Sequence, residues 1–138
     1  MRKLMIGLAV AAVLAGAVRA QDALTPNPQI QGIIQGQIDA FQSDDFVTAF
    51  DFASPGIKGT FRTPENFGAM VRQGYPMVWR PQDLRFGPLR EIDGALWQQV
   101  LIEDAAGKRF VVEYRMEQVD GVWRISGVQV VPASGLSA

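Results

Sequence analysis

The strongest constraint on this chain is its C-terminal stretch, residues 84–131, which reads as a meander of antiparallel strands. Asp93-Gly94, Ala106-Gly107 and Asp120-Gly121 fall between segments of alternating polarity, where two-residue turns with positive φ are expected. The predicted strands are 84–92, 96–103, 109–118 and 122–131. Gly87-Pro88 interrupts the first, which marks an edge or a bulge, because proline donates nothing to a ladder. In the third, Phe110, Val112, Tyr114 and Met116 alternate with Val111, Glu113, Arg115 and Glu117, so the first set is core and the second wetter. In the last, Trp123 and Ile125 share a face, and a bulge at Ser126-Gly127 returns Val128 and Val130 to it. Bulges bend a sheet, and helices across its concave side can enclose a cavity.

The helices come first in the chain. Asn27 is an N-cap with Pro28 in the first turn, where its missing N–H costs nothing. Ile30, Ile33, Ile34, Ile38 and Phe41 then fall on one stripe at ~100° per residue. Gln37 lies within that stripe, so it is expected to be buried and to need partners, whereas Asp39 points away. Gly32, Gly36 and Ala40 form a second stripe of small residues. Each interior glycine costs about 1 kcal/mol relative to alanine, so another element is expected to pack close there. Ser43-Asp44-Asp45 ends this helix and caps a second, 46–53, which Ser54-Pro55-Gly56 stops. A connector, 57–62, leads to a third helix opened by Thr63-Pro64-Glu65, with Phe67, Met70 and Val71 inward and Gly74 just past its end. Residues 75–81, Tyr-Pro-Met-Val-Trp-Arg-Pro, are an irregular link rich in aromatic and proline residues.

Fold class is therefore α+β: three N-terminal helices packed on a strongly curved antiparallel sheet of about four strands. The single domain runs over 28–132, after a lead-in at 21–27 and before a flexible tail at 133–138. Residues 1–20 read as a secretory signal peptide. Arg2 and Lys3 precede an uncharged apolar run, and Val18-Arg19-Ala20 sets a cleavage point before Gln21, with Ala15-Gly16-Ala17 as a second. The run is shorter than the roughly 20 residues of a membrane span. The expected mature protein is periplasmic or secreted, with no membrane anchor. It keeps 10 Lys+Arg against 14 Asp+Glu, a net −4, and no basic cluster denser than Lys108-Arg109, so nucleic-acid binding is set aside.

Two stretches carry resemblances. Asp120-Gly121-Val122-Trp123-Arg124-Ile125-Ser126-Gly127-Val128, after three helices, resembles the nuclear-transport-factor-2-like superfamily, which implies a cone-shaped fold. The stretches Ala53-Ser54-Pro55-Gly56-Ile57-Lys58 and Gly74-Tyr75-Pro76-Met77-Val78-Trp79-Arg80-Pro81 resemble those of the secreted bacterial family domain of unknown function 4864. Neither resemblance brings a catalytic set, and the cone fold hosts enzymes, ligand binders and interaction modules alike.

The chain has no histidine and no cysteine, which removes Ser-His and Cys-His catalysis, His- or thiolate-ligated metals and disulfides. No metal or other cofactor is called for. Enzymes of the cone fold often use an Asp-His pair or an Asp with a Tyr, and only the second remains, with Tyr75 or Tyr114. No acid suits it: Asp39 and Asp51 face outward, Asp44 and Asp45 form a cap, Asp93 and Asp120 belong to turns. Glu113 lies on the opposite face from Tyr114, and Glu103-Asp104 is too little for calcium.

The candidates for binding are Gln37, Tyr75, Trp79, Arg80, Trp97 and Tyr114, aromatic walls with a few polar groups at the open end of the cone. The competing role is structural, with the aromatics filling the cone and Arg80 laying its stem over them. The expected function is non-enzymatic binding of a small apolar or aromatic ligand, or of a partner protein, through 75–81. The alternatives are a cavity enzyme (lyase, isomerase or hydrolase) using tyrosine and carboxylate, and a homodimer sharing Val100, Val111 and Val122 on the outer sheet face.

Overall fold

The computed structural model describes residues 23–131; the expected leader at 1–20 and tail at 133–138 lie outside the described residues. Helix α1, Pro28–Gln42, begins where the Asn27 side chain accepts from the amides of Gln29 and Ile30 at 3.0 and 3.2 Å. Its Ile30, Ile34, Ile38 and Phe41 are fully buried, each contributing about 1.5–3 kcal/mol. Asp45 caps α2, Phe46–Asp51, accepting from the Thr48 amide at 3.1 Å and the Thr48 hydroxyl at 2.7 Å. The small-residue stripe is used at one position. A Cβ at Gly36 would come within 2.8 Å of the Phe52 ring, whereas one at Gly32 would meet open space.

Two further short helices stand where the sequence pointed to a connector and an irregular link. α2 ends at Asp51 with Phe52 as C-cap, two residues short of the expected 53, and Ser54 caps α3, Pro55–Phe61, accepting from the Ile57 amide at 3.3 Å. After α4, Pro64–Gly74, Tyr75 is the C-cap and the single-turn α5, Pro76–Trp79, follows at once. A helix of one or two turns is too short to show a periodic stripe, and no residue of α3 is buried. Gly74 is the last residue of α4 rather than the first beyond it.

Strands β1 (Asp83–Ile92), β2 (Ala95–Glu103), β3 (Arg109–Val119) and β4 (Val122–Val131) form one antiparallel sheet in chain order. Both expected bulges are present. Register slips between Phe86 and Leu89 at Gly87-Pro88, and again where Gly127 faces Arg115 but Ile125 faces Met116. Asp93-Gly94 and Asp120-Gly121 have positive φ at both residues, as two-residue hairpin turns require. Ala106-Gly107 differs. The β2–β3 link is the loop 104–108, in which only Gly107 has positive φ and the Asp104 carboxylate accepts from the amides of Ala106 and Lys108.

The helices cover one face of the curved sheet, where Gln98, Val100, Ile102, Val112, Tyr114, Met116 and Ile125 are buried. The outer face is drier than its pattern suggests. Val111 is 2% exposed between Leu101 and Val131. Glu113 is buried because Arg90 reaches across from β1 to its Oε2 at 2.7 Å and Gln129 donates to its Oε1 at 2.9 Å. Of the three valines expected to be shared in an outer-face dimer, Val100 is on the inner face and Val111 is already covered, which leaves Val122 exposed. Among the described residues each sheet edge is tacked by one bridge, β1 by Leu24 at Leu89 and β4 by Ala53 at Ile125.

Candidate functional site

The Ala53 bridge positions a cavity. Ile125 donates its amide to the Phe52 carbonyl at 2.9 Å, and the Ser54 amide donates to the Ile125 carbonyl at 2.8 Å, fixing the α2–α3 corner against β4. Beside this corner a cavity of about 400 Å³ opens between α3, α4, α1 and β4. Phe41 and Gln37 of α1, Ile57 and Phe61 of α3, Phe67, Met70 and Val71 of α4, and Ile125 and Val128 of β4 wall it, with Tyr75 and Val78 beside them. Phe67 anchors the aromatic side, with ring centroids 5.8 Å from Phe41, 5.2 Å from Phe50 and 5.9 Å from Phe61. Among the described residues no charged side chain lines it, and its polar side chains are those of Gln37 and Tyr75.

Gln37 is 3% exposed and donates through Nε2 to the Ala49 carbonyl at 3.1 Å, so the partner expected for it is the C-terminal turn of α2. Tyr75 is half-buried at the end of α4. These two of the six candidate residues share the cavity, and the other four lie elsewhere.

Trp79 and Arg80 form a clamp on the α1–α2 loop. Trp79 Nε1 and Arg80 Nη2 both donate to Asp44 Oδ1 at 3.0 Å, and Arg80 Nη1 donates to the Phe41 carbonyl at 2.7 Å. The Arg80 guanidinium lies 4.1 Å from the Trp79 ring centroid. Asp44 is thus no cap: it takes φ 55° and receives these donors, and the Trp79 hydrogen bond, then that of Arg80, holds its carboxyl below the usual value. Met77 and Val78 of the 75–81 link are buried, while Pro76 is exposed and Tyr75, Trp79, Arg80 and Pro81 are half-buried.

Trp97 lies on the outer face, between Arg90 and Arg115 in register, in a shallow hollow with Ile92 and Gln129. Its neighbours Gln98 and Val100 are the inward ones, a parity that β2 alone does not reveal. Tyr114 faces inward but is completely buried in the core; burial pushes its phenol well above the ordinary value of 10.0. Its cross-strand neighbours are Gln98 and Val128.

Sequence reasoning turned Val128 inward without naming it as a wall, and missed Ile57 and Phe61. The unused signal was Ser54-Pro55, which starts a helix as readily as it stops one.

Comparison with curated proteins finds no match. Among solved structures, the fold is similar to that of Aln2 from a Streptomyces species, at 18% identity over 83% of this chain and 98% of that chain, with a TM-score of 0.50. That likeness is one of fold alone. A family model described as "Domain of unknown function (DUF4864)" matches residues 23–138, and the chain belongs to that family.

Proposed function

We propose that the protein binds a small, uncharged, mostly apolar molecule in the cavity between α1, α3, α4 and β4, without acting on it chemically. The observation that carries this reading is a cavity of about 400 Å³ whose wall, among the described residues, holds aromatic and aliphatic side chains and no charge. Each ~100 Å² of apolar ligand surface removed from water contributes about 2.5 kcal/mol before the costs of ordering. The described lining includes no carboxylate to act with Tyr75, and Glu113 is held on the far face of the sheet from Tyr114. Both features favour binding over a tyrosine-and-carboxylate enzyme. The apolar run and small-residue cleavage point at the N-terminus support export, with a mature chain beginning at Gln21.

The test is mass spectrometry of protein purified from its native compartment, under native and denaturing conditions. The expected result is an extra mass in the native spectrum alone, lost in a Val128→Trp variant whose added ring fills the cavity. An occupant retained by a folded Val128→Trp protein would move the site elsewhere. N-terminal sequencing of the same sample reads the cleavage point, and a chain retaining residues 1–20 would sink the export reading.

A further inference from the structure

We infer that Gln37 selects the ligand. The cavity takes a neutral molecule with a hydrogen-bond donor, a hydroxyl or an N–H, on an otherwise apolar body, and the donor sits on Gln37 Oε1. This rests on the cavity being the ligand site.

Gln37 occupies a position that the period of α1 would otherwise give to an apolar residue, one turn from both Ile34 and Phe41. A glutamine amide has a donor end and an acceptor end, and its partners settle which is which. Only the NH₂ group can bond to a carbonyl, so the contact with Ala49 at 3.1 Å assigns Nε2 to the α2 side. The oxygen is then the free end: no side-chain hydrogen bond among the described residues reaches it, and it is not among the fully enclosed unpartnered atoms, so it keeps some accessible surface. The side chain as a whole is 3% exposed and lines an apolar cavity, so a molecule filling that cavity can reach the oxygen. An unpartnered acceptor in the wall of an apolar cavity favours a ligand that brings a donor and disfavours one that brings only lone pairs. With no charged side chain in the described lining, nothing there pairs with an ionised ligand. Tyr75 is the other polar side chain there, but its hydroxyl both donates and accepts, so it does not discriminate in the same way.

The experiment uses three probes of similar shape, 2-naphthol, 2-methoxynaphthalene and 2-methylnaphthalene, titrated against the mature protein by their own fluorescence. The first carries a donor, the second only an acceptor, the third neither. The expected result is that 2-naphthol binds about 10-fold more tightly than the other two, which resemble each other. That ratio should fall to about one in Gln37→Leu, or in Gln37→Met if the leucine variant does not fold. It should persist in Tyr75→Phe, whatever that change does to the affinities themselves. Equal binding of all three by the unaltered protein overturns the role of Gln37 and leaves the cavity reading intact. A preference lost in Tyr75→Phe but kept in Gln37→Leu assigns selection to Tyr75 and also overturns the inference. If none of the three binds, the cavity reading itself fails, and the inference with it.

Discussion

Tyr114 carries its hydroxyl into the core with no hydrogen-bond partner among the described residues, and the same is true of Oε1 of its cross-strand neighbour Gln98. An unmatched buried polar atom costs about 1–3 kcal/mol, so deleting this hydroxyl removes a penalty along with a few packing contacts. Tyr114→Phe should therefore leave urea stability unchanged or raise it by about 1 kcal/mol; a loss of that size would mean that the hydroxyl has a partner. The same burial gives a pH dependence. The folded phenol stays protonated above the pH at which the unfolded one ionises, near 10.0. The unfolded state then binds fewer protons, and stability falls as pH rises past about 10. Tyr114→Phe should flatten that alkaline fall in denaturation midpoints measured from about pH 8 to about pH 11. From sequence, alternation placed Tyr114 inward correctly, but alternation carries no information on how far the ring end lies from a cavity.

At the scale of elements, one helix contains both kinds of glycine. Gly32→Ala should raise stability by about 1 kcal/mol, since nothing stands within 4 Å of the new methyl group. Gly36→Ala should gain the same propensity but push on the Phe52 ring, so its thermal midpoint should lie below that of Gly32→Ala. The α1–α2 loop is held by Arg80 and Trp79 from 35 and more residues away, and that pairing had no local signal. Arg80→Ala should lower stability by no more than about 1 kcal/mol, because the Phe41 carbonyl loses one donor but keeps the Asp44 amide at 3.0 Å, without changing occupancy of the cavity in native spectra. A loss of ligand with unchanged stability would return Arg80 to the binding site. The strands and long helices were legible because turns and stripes are local. The short helices α3 and α5 were not, because one turn of helix writes no period. Ser54-Pro55 did offer a start signal for α3, whereas Tyr75 at the start of α5 makes no side-chain capping bond and offers none.

In the molecule as a whole, the cavity lies where the helices meet the last strand of the sheet. α1 buries Ile30, Ile34 and Ile38 in the core, while α3 and α4 face it across the cavity beside the corner pinned at Ile125. Ser54→Ala removes the α3 cap and should destabilise by about 1 kcal/mol, and it should also weaken ligand retention, because α3 supplies Ile57 and Phe61 to the wall. Unchanged retention would show that the wall stands without the cap. Gln37 was legible as a polar residue in an apolar stripe. Trp97 was misplaced because the face a strand residue takes depends on register with its neighbours, here Arg90 and Arg115.

The single bridges at the two sheet edges have a consequence for self-association. An open β-strand edge is a template for another chain, and both edges here are occupied at one point by the protein's own backbone. The guard on β1 is Leu24, whose amide donates to the Leu89 carbonyl at 2.8 Å from a segment outside every helix and strand. A chain shortened to begin at Asn27 would keep its helices and cavity while baring the β1 edge beside the Gly87-Pro88 bulge. Polymerisation through strand addition, followed by light scattering, is then the expected fate of the trimmed protein at concentrations where the intact one stays dispersed.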